Sequence, residues 1–107
     1  MKKYNLNNLS LREKQSVFVL MIEDLIHYAY QKGYEMTFGD AYAQTGHKKN
    51  SNHYIRLAMD LNLFKNGVWL NDGTGHDKLH DHWDRLGGAE RIKGDLGHYS
   101  VEYNGVR

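Results

Sequence analysis

The sequence predicts an α+β domain, a small antiparallel sheet flanked by helices. Residues 10–33 keep an apolar period of the helical kind, residues 54–64 alternate apolar and polar side chains, and residues 76–86 return to a shorter helical pattern. The strand-like runs lie between and after the helices and do not alternate with them one for one, which argues against a parallel βαβ sheet. At 107 residues the chain supports one core and one domain, 1–107, with no internal repeat and no linker.

The first helix begins at a capping box, Ser10 with Glu13 three residues later, and Gly33 is placed to end it. Leu11, Phe18, Met21, Ile22, Leu25, Ile26 and Ala29 form its core stripe. Val17, Val19 and Leu20 make its middle apolar nearly all round, which predicts packing on more than one side. Next, "YEMTF" alternates Tyr34, Met36 and Phe38 against Glu35 and Thr37, a half-buried strand. Residues 39–52 carry turn formers and no apolar period, so they read as a loop.

In the strand expected over 54–64, Ile55, Leu57, Met59, Leu61 and Leu63 share one face; Arg56, Ala58, Asp60 and Asn62 share the other. Asn66-Gly67 suits a tight hairpin turn, after which Val68, Trp69 and Leu70 pair back. A second helix over 76–86 is closed by Gly87-Gly88. The last strand places Tyr99, Val101 and Tyr103 on one face and His98, Ser100 and Glu102 on the other.

Composition narrows the chemistry. There are no cysteines, which removes disulfides, thiolate metal sites and cysteine nucleophiles together. The net charge of +1 gives no bulk basic surface for nucleic acid; the pairs Lys2-Lys3 and Lys48-Lys49 read as solvated surface. No window has the length of a membrane span, and "MKKYNLNNLS" lacks the apolar core of a signal peptide. The expectation is a cytosolic product, with no membrane partner. Trp69 and Trp83 read as core residues.

Asp60 points away from the apolar face of its strand, His98 points from the non-core face of another, and His53 sits at the loop mouth leading into the first. Two imidazoles and a carboxylate are ligands of the kind a catalytic zinc uses, with a fourth position left for water. The competing reading is a surface histidine and an aspartate paired with Arg56. In "GHDKLHDH", His76 and His80 are one helical turn apart, a feasible bidentate pair with His82 nearby. With no third ligand of comparable context, the plain reading there is a wet helix face.

Ser51-x-His53-x-x-Arg56-x-Ala58-x-Asp60, followed by Asp95-x-x-His98, resembles the paired motifs of the M15 family of zinc peptidases. That family comprises D-alanyl-D-alanine carboxypeptidases and L-alanyl-D-glutamate endopeptidases. The text "FGDAY", "RLAMDLNLF", "LGG" and "GHYSVEYNGVR" is similar to its phage and prophage members, and the resemblance covers nearly the whole chain. It implies a Hedgehog/DD-peptidase-like zinc peptidase fold, with zinc held by His53, Asp60 and His98 and with Asp95 as catalytic acid/base. Ser51 is then a supporting hydrogen-bond group. Many members carry an arginine in the loop after the "FGDAY" strand that steadies the substrate. Here Ala43 follows Tyr42, and Lys48, Lys49 or Arg56 is left to supply the positive charge. A second departure is Arg56, where glycine is common.

The function implied is a peptidoglycan endopeptidase, an endolysin cutting the L-Ala–D-Glu bond of the stem peptide. Such an enzyme is stored in the host cytoplasm and acts on the cell wall after release through a holin, as a monomer. The alternatives are a D-Ala-D-Ala carboxypeptidase or dipeptidase and a non-catalytic zinc-binding module; a nucleic-acid-binding module stands further off.

Overall fold

A computed structural model describes residues 2–47 and 50–107 of the chain. Helix α1 runs Leu11–Gln31. Its capping box forms as expected: Ser10 Oγ accepts from the Glu13 N–H at 3.2 Å, and the Glu13 carboxylate accepts from the Ser10 N–H at 2.9 Å. Strand β1 spans Glu35–Phe38, β2 Ala58–Lys65, β3 Val68–Trp69 and β4 His98–Ser100; helix α2 spans His76–Leu86. Among the described residues no helix is long and apolar enough to cross a membrane.

The four strands form one antiparallel sheet around β2. One edge of β2 pairs with β1, Phe38 opposite Leu61 and Glu35 opposite Phe64. Its other edge is shared in succession by β4, at Ala58 to Asp60, and β3, at Phe64 and Lys65. The β2–β3 turn uses Asn66 and Gly67, both at positive φ (52° and 77°), as a tight hairpin requires.

Both helices contribute to one core on the face that β2 presents through Leu61 and Leu63, with Leu57 just before the strand. Phe18, Met21, Leu25 and Ala29 come from α1; Leu79, Trp83 and Leu86 come from α2; Tyr99 and Val101 come from β4 and the residue after it. Trp83 is the keystone. Its ring meets Phe18 and Tyr99 edge-on, at 5.9 and 5.8 Å between centroids, and its Nε1–H donates to the Ser100 carbonyl at 2.9 Å. Gly88 lies so close that a Cβ there would overlap the indole, which accounts for the second glycine after α2.

Five expectations are corrected. Because both helices share one face, the far side of α1 stays uncovered: Val19 is 66% and Leu20 49% exposed. Phe38, on the edge strand β1, is 69% exposed, and Trp69 is exposed on the short strand β3. The strand expected from residue 54 begins at Ala58, because Asn52–Ile55 form a 3-10 helix that Arg56 closes in the left-handed region (φ 59°, ψ 36°). Finally, the histidines of α2 do not form a wet face. His76 and His80 are buried against Tyr99, His80 stacked on its ring at 4.2 Å and His76 Nδ1 paired with its hydroxyl at 2.6 Å. His82 stacks on Tyr28 and pairs with Asp24 at 2.9 Å.

Candidate metal centre

The register of β2 against β4 sets Asp60 directly opposite His98. Cross-strand partners carry their side chains on the same face, about 5 Å apart at Cβ. This face is the one turned away from Leu61 and Leu63, so the polar pair stands outside the main core. His98 Nδ1 lies 3.5 Å from Asp60 Oδ1.

His53 arrives from the 3-10 helix that precedes β2. Ser51 caps that helix, its Oγ accepting from the His53 N–H at 3.3 Å. Gln15 of α1 donates to the Ile55 carbonyl at 2.8 Å and ties the helix to the core. His53 is only 1% exposed, and its Nε2 approaches Asp60 Oδ1 at 3.1 Å. One carboxylate oxygen therefore faces both imidazoles.

A third ring stands over them. His47 stacks on His53 at 4.1 Å between centroids, while its Nε2 pairs with Asp40 at 2.9 Å. The Tyr54 hydroxyl clamps the His47 backbone, accepting from its N–H at 2.8 Å and donating to its carbonyl at 2.7 Å. Among the described residues, His47, His53 and Asp60 bring their ligand atoms within 4.8 Å of one another, and this group can hold a metal ion. Sequence reasoning passed over His47: a single histidine in a polar loop carries no spacing signal.

Electrostatics favour the ligand state. Burial pushes His53 below its ordinary pKa against the pull of Asp60, and the His47 and His98 rings add to the lowering. Burial alone raises Asp60, but the His98 contact and the His53 and His47 rings outweigh it and hold the carboxyl below its usual range. Neutral imidazole beside ionised carboxylate is the protonation state that metal binding needs.

The two approaches to Asp60 fall near ligand spacing. With Zn–N and Zn–O bonds of about 2.1 Å, neighbouring ligands of a tetrahedral zinc stand about 3.4 Å apart. The two ring nitrogens lie 3.1 and 3.5 Å from Asp60 Oδ1, on either side of that value. The remaining ring nitrogens, His53 Nδ1 and His98 Nε2, are buried without a partner. The donor set of imidazole nitrogen and carboxylate oxygen suits zinc.

Asp95 lies outside this donor set. It is exposed on the turn before β4, where the His98 N–H donates to the Asp95 carbonyl at 3.1 Å. With Ser51, His53 and His98 it lines an open cleft of about 530 Å³. His80 Nε2 meets the Leu96 carbonyl at 2.8 Å, bracing the turn between Asp95 and His98 from beneath.

Arg56 is not on this cleft. It left the strand face on which the alternation put it, and its guanidinium stacks on the Tyr42 ring at 3.9 Å. Its expected part in substrate binding is therefore not supported by position, because the left-handed turn redirects the side chain. Lys48 lies outside the described residues. No family model matches the chain, and neither a curated protein nor a solved structure matches it.

Proposed function

We propose that this domain is a zinc-dependent peptidoglycan endopeptidase of the Hedgehog/DD-peptidase-like fold that hydrolyses the L-Ala–D-Glu bond of the stem peptide. The observation that carries the reading is the approach of His53 Nε2 and His98 Nδ1 to one oxygen of Asp60, at 3.1 and 3.5 Å, beside Asp95 on an open cleft. The paired sequence motifs around these residues supply the substrate class.

In this reading His53, Asp60 and His98 hold the metal. Zinc bound there supplies a Lewis acid for the scissile carbonyl and lowers the pKa of a water to about 7. Asp95, free of the donor set, takes a proton at its carboxylate from the attacking water and returns it to the leaving amine. Ser51 keeps the His53 backbone in place, and burial around His53 favours its neutral ring. The enzyme is stored in the host cytoplasm and meets its substrate after release to the wall.

Elemental analysis and muropeptide mass spectrometry test this together. Protein purified without added metal should carry near-equimolar zinc, and His53→Ala and His98→Ala should each lose most of it. Loss in His47→Ala with full retention in His98→Ala would move the site to the His47–His53–Asp60 group. Digestion should create a new D-Glu amino terminus that a chelator abolishes. Loss of terminal D-Ala alone would instead establish the carboxypeptidase, and zinc without any cleavage the non-catalytic module.

A further inference from the structure

The cleft beside the metal-holding group is bounded by two cations that the proposed chemistry does not use, Lys93 and Arg107. Arg107 is brought there by a built feature. Tyr103 and Val106 bond each other in both directions, at 2.9 and 3.0 Å, across a tight turn whose Asn104 and Gly105 both have positive φ. Asn52 is buried, and its amide donates to the Val106 carbonyl at 2.9 Å and the Val101 carbonyl at 2.8 Å. Asn52 precedes His53 in the same 3-10 helix, so the pin that holds the terminal turn also holds the site. The residue after Val106 is thereby delivered to the cleft that His53 and His98 line.

Among the described residues the Arg107 guanidinium pairs through Nη1 with Glu90 at 3.1 Å, and Glu90 is 83% exposed. Exposed pairs of this kind are weak and exchange readily for another carboxylate. A guanidinium presents a planar fork that matches a carboxylate in bidentate fashion, which a lysine cannot.

We infer that Arg107, supported by Lys93, forms a subsite for a substrate carboxylate next to the scissile amide. This rests on the proposed reaction and gives it a substrate feature. In a stem peptide D-Glu continues through its γ-carboxyl, so its free α-carboxylate sits one carbon from the scissile nitrogen. An enzyme cutting L-Ala–D-Glu must accommodate that charge, and the cleft provides a cation for it without the loop arginine. The subsite discriminates between stems carrying D-Glu and stems amidated to D-isoglutamine.

The probes are L-Ala-γ-D-Glu-L-Lys and its D-isoglutamine counterpart, with binding to the zinc-loaded full chain followed by calorimetry and cleavage followed in parallel. The acid should bind about ten- to a hundredfold more tightly than the amide, the range for a charge-assisted hydrogen bond. Arg107→Gln should remove most of that preference, Lys93→Gln less of it, and Arg107→Lys should restore part. Equal binding of the two peptides, or an unchanged preference in Arg107→Gln, overturns the subsite. An Arg107-dependent preference without cleavage of either peptide leaves the subsite standing and removes the endopeptidase. Cleavage of both with no preference does the reverse.

Discussion

Asp95 and Asp60 carry the same functional group in two different settings. Asp60 is half-buried with two imidazoles on one oxygen, so its charge is committed. Asp95 is exposed on the cleft, outside the group around Asp60. Asp95→Asn keeps shape and removes the accepting charge. Turnover of the stem peptide should fall by about 10²–10⁴-fold while zinc content stays at the wild-type level. Activity close to wild type would transfer the proton-handling role to another group or to bulk water. The face of Asp60 was legible from alternation, whereas Asp95 was singled out only by the resemblance of its motif. His47 was not legible, because only folding of the loop lays its ring on His53.

The element that organises the site is β2, whose two edges meet different parts of the chain at the same residue. The Asp60 N–H donates to the Asp40 carbonyl and the Gly39 N–H donates to the Asp60 carbonyl, each at 2.8 Å. On the other edge the Leu61 N–H donates to the Gly97 carbonyl at 2.9 Å. Gly39 passes so close that a Cβ there would stand 2.9 Å from the Asp60 Cβ. Gly39→Ala should therefore push Asp60 away from the rings and weaken zinc binding by about tenfold or more, as loss of outer-shell support does. Competition against a chromophoric chelator reads this directly. Unchanged affinity would mean that the 39–40 segment yields without moving Asp60. From sequence Gly39 is only a loop glycine.

The whole molecule is held by a core that includes two histidines, and this gives its stability a pH dependence. Burial, with His80 nearby, lowers the His76 pKa from 6.5 to about 4, and burial lowers His80 as well. Below 6.5 the unfolded chain takes up a proton that the folded chain refuses until about pH 4. Stability present above 6.5 is thus lost progressively across that window and no further below it, by about 3 kcal/mol for His76 at 1.36 kcal/mol per pKa unit. His76→Gln has no such proton to gain. In urea denaturation, the stability advantage of wild type over His76→Gln should shrink by this order between pH 7 and pH 4. A constant difference would show that the buried ring accepts its proton in the folded state.

The sequence by itself determined what depends on near neighbours. Both helix spans, the Ser10–Glu13 box, the Asn66-Gly67 turn and the face on which Asp60 stands follow from side-chain period and local backbone preference. Tertiary structure alone decided the rest. Arg56 left its expected face once the chain entered a left-handed turn, and His76 and His80 became core once Tyr99 packed on them. Arg107 reached the cleft because Asn52 holds Val106, 54 positions away. Each of these contacts closes a long loop, and its free energy comes from burial and hydrogen bonds formed only when distant segments meet. No local pattern records such a meeting in advance.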